Sequence, residues 1–330
     1  MKLGALAMLA LTGAMLFGCA KPAPPQQVLT FSILSAEDQQ SMSRVWQPLL
    51  DDLQTKTGLK VQPHYGSNYT SLIEAMRFNQ VQMGWFSALP ALEAVNRADG
   101  EVLGRIADKG GQGAVYESIL IVPKSSATTL EDVLKCGKRF NFGIGDPRST
   151  SGTLAPMAYL FVPKGIEPTD CFKTVRSASH QANMFAVANG VLDVATNNTV
   201  GLLFAQRESP DVAAKVKVIW TSPPLPESSI LVRKDLDPAI KAKLKVFFLS
   251  YGSGTGPEAD HERKVMSDLD YGGFTPADDS YLDPIRLMEA STDLSEAKHS
   301  GDAGKIAQAQ KVYDAVKALV ASRPKAHPAG

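Results

Sequence analysis

Gly145-Asp146-Pro147-Arg148-Ser149-Thr150-Ser151-Gly152 is the stretch on which the reading of this chain turns. It follows a strand-like run, Phe140-Asn141-Phe142-Gly143-Ile144, and leads into a segment of helical character that reaches about Pro163. A loop that leaves a strand and opens a helix is the junction of an α/β fold. Gly145 and Gly152 permit close backbone approach. Free amides at the helix start carry the positive end of its dipole, and three consecutive hydroxyls add donors. That combination suits a tetrahedral oxyanion. One Ser or Thr there is an ordinary helix cap. Three in a row after a glycine turn point to a site.

Outward from this loop the chain alternates strand and helix signals. Residues 28–34 read as a strand. Residues 39–57 read as a helix, with Met42, Val45, Trp46, Leu49, Leu50 and Leu53 at helical spacing, Pro48 as a kink point and Gly58 as the stop. Strands at 59–63 and 81–86, helices at 69–78 and 90–98, and a strand at 118–122 buried on both faces follow. After Pro123 the pattern restarts with a helix at 129–135, strands at 140–144, 172–176, 191–196 and 216–220, and a helix at 181–188. Pro223, Pro224 and Pro226 break the chain before a strand at 230–232, a helix at 237–251 and a helical tail from Asp278. Crossings near 122–124 and 222–228 give a discontinuous first lobe, 28–122 with 226–330, and an inserted second lobe, 123–225. A ligand would lie in the cleft between them.

Lysine plus arginine equals aspartate plus glutamate, 34 each in 330 residues. This balance offers no footprint for nucleic acid. A bound anion must be held by local geometry, not by a bulk positive field. At the N-terminus, Lys2 precedes an apolar stretch ending in Leu16-Phe17-Gly18-Cys19. This resembles a bacterial lipoprotein signal, with 1–18 removed and Cys19 lipidated. A membrane-spanning anchor is the alternative, for which the stretch is short of the roughly 20 residues needed. The proline-rich residues 19–27 then form a tether, and the protein is expected to be periplasmic or otherwise extracytoplasmic, held at the membrane by lipid.

Outside the cytoplasm the pair Cys136 and Cys171 suggests a disulfide. Each precedes a strand-like run, and two strands starting side by side would bring the sulfurs together. Two unrelated buried thiols are the alternative. No His or Cys cluster has metal-ligand spacing, and no cofactor is expected.

The chain resembles the phosphonate-binding subunit of ABC importers, within the phosphate/phosphite/phosphonate class. The likeness rests on Asn68-Tyr69, Met76-Arg77-Phe78-Asn79, the 145–152 loop, and Ala186-Val187-Ala188-Asn189 leading to Asp193-Val194-Ala195-Thr196-Asn197-Asn198. It extends to about residue 275. It implies an α/β, two-lobed periplasmic binding protein of type II, with its ligand in the cleft between the lobes and an ABC permease as partner. It also implies that Ser149, Thr150, Ser151, Tyr69, Tyr116 and His180 hold the phosphonate oxygens. Each of these groups can donate a hydrogen bond, and together they form a donor ring with no competing carboxylate. Arg148 either reaches the anion or is a solvated loop residue.

Two departures bear on the ligand. Members that bind aminoethylphosphonate place carboxylates around its ammonium group. The matching positions here are Val200 and Ser228, with Glu227 beside the latter, and a tryptophan of some relatives is Glu117. Enclosing an ammonium without a partner costs several kcal/mol, at about 1.4 kcal/mol per decade of affinity. The expected ligand therefore lacks an amine: phosphite, methylphosphonate or a similar small species. 2-Aminoethylphosphonate is the alternative, admitted if Glu227 turns inward.

An enzyme is not expected, because no nucleophile elbow, metal cluster or acid pair is present. A sensory lipoprotein feeding a signalling partner shares every feature with a transport receptor. In the tail, Ile306, Val312, Val316, Leu319 and Val320 form a stripe that either packs on the parent lobe or joins a homodimer.

Overall fold

The computed structural model describes residues 28–34, 38–111 and 113–323. The expected signal segment, Cys19 and the tether lie outside the described residues. The chain begins β1 (Val28–Ile33), α1 (Gln39–Thr57), β2 (Lys60–Tyr65), α2 (Tyr69–Arg77), β3 (Met83–Phe86), α3 (Ala88–Arg97) and β4 (Gly100–Ala107). After the short β5 (Val115–Tyr116) come β6 (Ser118–Pro123), α4 (Leu130–Leu134) and β7 (Asn141–Ile144). A helical stretch of wide turns, Thr150–Leu154 and Met157–Phe161, precedes α5 (Pro168–Cys171), β8 (Thr174–Ser177), α6 (His180–Ala188), β9 (Val194–Asn198), α7 (Thr199–Glu208), α8 (Pro210–Ala213) and β10 (Val216–Thr221). The chain returns through β11 (Leu225–Pro226) and β12 (Ser229–Arg233) to α9 (Pro238–Ser250), α10 (Pro257–Asp268), β13 (Gly273–Pro276), α11 (Asp283–Ser300) and α12 (Ala303–Ser322).

Two sheets organise these elements. One is six-stranded, in the order β13-β4-β12-β3-β1-β2, and the other five-stranded, in the order β10-β6-β9-β7-β8. β1 runs parallel to β2 and β3, whereas β12, returning from the second sheet, enters antiparallel between β3 and β4. β5 and β11 pair as a ribbon where the chain passes between the sheets. The architecture is thus α/β and two-lobed. The first crossing differs from the expected position near 122–124. β6 pairs with β9 and β10, so the chain leaves the first sheet before Ser118. The apolar run 118–122 reads equally well as a buried strand of either sheet, and only pairing decides.

Local chemistry sets both ends of α1. The Asp38 carboxylate accepts from the amides of Gln40 and Ser41, and Gly58 closes α1 with φ 68°. Met42, Trp46, Leu49, Leu50 and Leu53 are buried, as their spacing predicts, and the helix continues through Pro48. Three elements carry no clear local signal. In β4, Gly100 and Gly104 divide the apolar run, but a Cβ at Gly104 would lie 3.2 Å from the Thr275 carbonyl oxygen of β13. In α7 only Gly201 is fully buried, and the apolar residues Leu202-Leu203-Phe204-Ala205 run consecutively, so no stripe stands out. α10 is strongly charged, and its buried face of Ala259, Glu262, Val265 and Met266 includes a carboxylate.

Cys136 and Cys171 form a disulfide. They precede β7 and β8, which are parallel neighbours with Asn141 opposite Thr174. Phe142 and Phe172 stack at 4.3 Å between centroids in the core beside it. In the tail, α11 buries Ile285, Ala290 and Leu294, whereas α12 has no buried residue. Among the described residues, no helix is long and apolar enough to cross a membrane.

Candidate functional site

A cavity of about 50 Å³ lies between the two sheets. Tyr69, Tyr116, Ser149, Ser151, His180, Val200, Glu227 and Ser228 all line it. Helix beginnings supply most of its polar end. Tyr69 opens α2, Ser87 is the N-cap of α3, Ser149 caps the turn Thr150–Leu154, His180 opens α6, and Asn198 is the N-cap of α7. Aligned amides at these termini direct partial positive charge at one space. No lysine or arginine among the described residues lines the cavity. The field expected from local geometry therefore comes from dipoles and hydroxyls.

The loop 145–152 is built around a close backbone contact. The Gly145 amide donates to the Gly152 carbonyl at 3.0 Å. A Cβ at Gly145 would meet Gly152 Cα at 2.5 Å. Neither glycine can gain a side chain without opening the loop. Ser149 Oγ accepts from the Gly152 amide at 2.9 Å, and Ser151 Oγ accepts from Asn198 Nδ2 at 3.1 Å. Each oxygen is thereby oriented by an incoming N–H, and each hydroxyl retains one hydrogen as a donor. His180 Nε2 lies 3.4 Å from both oxygens. Burial pulls the His180 pKa down to about 4, so the imidazole is neutral at neutral pH. Its Nδ1 is buried without a partner, and an N–H on Nε2 adds one more donor to the ring. Asn197 holds the His180 carbonyl at 2.7 Å, fixing the start of α6.

Thr150 behaves differently from its neighbours. Its Oγ1 accepts from the Leu89 amide at 2.8 Å, across from the other sheet. It ties α3 to the loop and is not among the cavity-lining residues. Arg148 turns from the cavity to Glu93 at 2.5 Å. Both are therefore bridges between the lobes. Asp38 exchanges two hydrogen bonds with Gln181, its amide donating at 3.0 Å and its carboxylate accepting at 2.9 Å. The bond from Gln181 to the carboxylate, with those from Ser41 and Gln40, holds Asp38 at about 2, below the usual carboxylate value. Arg44 meets Glu208 at 2.8 Å on the same side.

The far wall changes one expectation. Val200, Leu34, Met42, Trp46 and Trp85 make it apolar, but Glu227 lies in it, 7% exposed. The donor ring therefore does have a carboxylate in view. The backbone explains this orientation. The Glu227 amide donates to the Ala114 carbonyl at 3.1 Å, and the Tyr281 hydroxyl donates to the Glu227 carbonyl at 2.8 Å. Both backbone groups of Glu227 are thus engaged away from the cavity. Glu227 Oε1 accepts from the Ser228 amide and hydroxyl, each at 2.8 Å. Burial nevertheless pushes its pKa up.

Several lining residues do not stand out in the sequence. Asn198 has a usable signal, since an asparagine between a strand and a helix is a good N-cap. Ser87 has the same signal more weakly. Trp46, Trp85, Leu34 and Met42 read only as core, and nothing local distinguishes a cavity wall from a packed one.

The 31–282 segment matches the family model described as ABC transporter, phosphonate, periplasmic substrate-binding protein. The chain belongs to that family. It is 38% identical over 275 residues to the phosphonates-binding periplasmic protein of Escherichia coli, covering 83% of this chain and 79% of that one. It is 26% identical over 232 residues to a phosphate-import protein of Mycolicibacterium smegmatis, covering 67% and 71%. Among solved structures, a binding-protein component of an ABC phosphonate transporter from Pseudomonas aeruginosa superposes with a TM-score of 0.85 at 34% identity, covering 90% of this chain and 99% of that chain. That superposition over most of the chain agrees with the two-lobed α/β architecture.

Proposed function

We propose that the chain is the lipid-anchored, extracytoplasmic receptor of an ABC importer, and that it captures a small phosphonate or phosphite lacking an amine. The observation that carries this reading is the cavity itself. Hydroxyls and helix N-termini fill one end, Val200 and six other large apolar side chains line the rest, and the volume is about 50 Å³. The oxyanion accepts from Ser149, Ser151, Tyr69, Tyr116 and His180, while a hydrogen or methyl substituent rests on the apolar wall. Lobe one comprises the six-stranded sheet and its helices, lobe two the five-stranded sheet. The ligand favours the closed form because it is gripped from both lobes, with Thr150–Leu89 and Asp38–Gln181 completing the closure. The permease then reads the closed form.

A second reading takes its support from Glu227. A carboxylate in the cavity wall is a partner for an ammonium, so 2-aminoethylphosphonate is the rival ligand. Phosphate is a further competitor, since it differs from phosphonate in one substituent. Calorimetric titration of the mature chain with phosphite, methylphosphonate, 2-aminoethylphosphonate and phosphate decides among them. Methylphosphonate or phosphite is expected to bind most tightly. Tightest binding of the aminated ligand would overturn the amine-free reading and favour the Glu227 partner. The partly exposed stripe of α12, with Val312 43% and Leu319 40% exposed, is the proposed contact for a second copy, and sedimentation equilibrium tests it.

A further inference from the structure

Glu227 is the one carboxylate among the described residues that line the cavity, and no cationic side chain lines it with Glu227. The same small space must take a phosphonate dianion. Two like charges in one closed, water-poor cavity repel strongly. The helix N-termini supply a single positive field, and an ionised Glu227 competes for it with the ligand.

The groups around Glu227 offer little relief. Tyr116 faces it from β5, Tyr271 and Asp270 from the segment after α10, and Tyr281 from the turn Asp279–Leu282. The three phenols are all pushed up by burial and by the Glu227 charge, so none is anionic. Asp270 adds negative charge, and its cations Arg207 and Lys109 lie at 3.1 and 3.8 Å from it. Arg105 acts on Tyr281 from β4. His180, across the cavity, is neutral at neutral pH. The two hydrogen bonds from Ser228 occupy Oε1, which leaves Oε2 as the oxygen able to carry a proton.

We propose that Glu227 makes capture proton-coupled: closing on an amine-free phosphonate dianion takes one proton onto Glu227. The neutral acid then acts as a donor or a silent neighbour to the anion, where the carboxylate would repel it. This proposal rests on the amine-free reading of the ligand. The proton comes from solvent, so affinity for methylphosphonate falls as pH rises above the carboxyl range of the open form. The direction agrees with burial already pushing the Glu227 carboxyl up in the closed form.

The test is calorimetry of methylphosphonate binding to the wild-type chain and to Glu227→Gln, in two buffers of different ionisation enthalpy, between about pH 6 and 9. Glu227→Gln is nearly isosteric and is the reference that cancels the ligand's own titration. Glu227→Met serves as a second neutral variant that packs on the apolar wall. The expected result is that wild type takes up about one proton more than either variant, with affinity falling up to about tenfold further per pH unit. Equal proton uptake and equal pH slopes in wild type and the variants would overturn the proposal. Should both variants fail to fold, wild-type uptake no greater than the ligand's own titration supplies overturns it equally. A parallel titration with 2-aminoethylphosphonate tests the reading beneath. If the aminated ligand binds more tightly than methylphosphonate, the amine-free reading fails. If methylphosphonate binds tightly without the extra proton, only the proton coupling fails.

Discussion

At the hydroxyl end of the cavity each donor is held by a second group: Gly152 orients Ser149, Asn198 orients Ser151, and Asn197 fixes the start of α6 at His180. At the opposite end Glu227 stands among Trp46, Trp85 and Val200, with only its neighbour Ser228 bonded to its carboxylate. In the proposed reading, the first end meets what every phosphorus oxyanion shares. In the same reading, the second end sets its charge through the proposed proton on Glu227 and its shape through apolar side chains. On this proposal, binding strength is set at one end and ligand choice at the other.

The contrast can be broken most sharply at its hydroxyl end. Gly145→Ala drives a Cβ into the Gly152 backbone. The expected loss of affinity exceeds about 100-fold, with a fall in stability of about 1–3 kcal/mol, as overpacking usually costs. Calorimetry and thermal melts read the two effects. Next come Ser149→Ala, Tyr69→Phe and His180→Ala. Removing a donor to a charged group costs about 1.5–3 kcal/mol, so each is expected to weaken binding by roughly 10–100-fold while leaving circular dichroism unchanged. Unchanged affinity in all three would remove the site assignment.

The opposite end is sharpened by Val200→Glu. A second carboxylate there is expected to improve 2-aminoethylphosphonate binding and to weaken methylphosphonate binding, each by about tenfold. Equal effects on both ligands would mean that the two walls do not divide the work as described.

The smallest expected effects concern pH and closure. His180 is depressed from 6.5 to about 4. Its contribution to stability is complete above 6.5 and is lost as pH falls through that window toward 4. The thermal midpoint of the wild type should decline there more steeply than that of His180→Gln. Gln181→Ala removes the partner of exposed Asp38 and is expected to weaken binding by only a few-fold, chiefly through faster ligand release in stopped-flow traces.

Much of this arrangement is legible in the amino-acid pattern. Periodicity places α1, α2, α3 and α6, and short apolar runs place β2, β3, β6, β7 and β8 between them. The hydroxyl run is visible because Gly145 and Gly152 flank it. Other features are not legible, for physical reasons. Sheet membership of 118–122 depends on pairing with β9 and β10, which no local pattern encodes. α7 has its apolar residues in one half-buried run, Leu202-Leu203-Phe204-Ala205, and so lacks the stripe that marks a helix. Thr150 and Ser151 are adjacent and chemically alike, yet one ties to Leu89 and the other faces the cavity. The inward turn of Glu227 follows from backbone bonds to Ala114 and Tyr281, both distant in sequence.

A crystal structure of the mature chain with methylphosphonate tests the central claim most directly. The phosphonate oxygens are expected within hydrogen-bond distance of Ser149, Ser151, Tyr69, Tyr116 and His180 Nε2, with the methyl group against Val200 and Trp85. An anion bound away from the Ser149–Gly152 loop, or phosphonate oxygens turned toward Val200, would contradict the account.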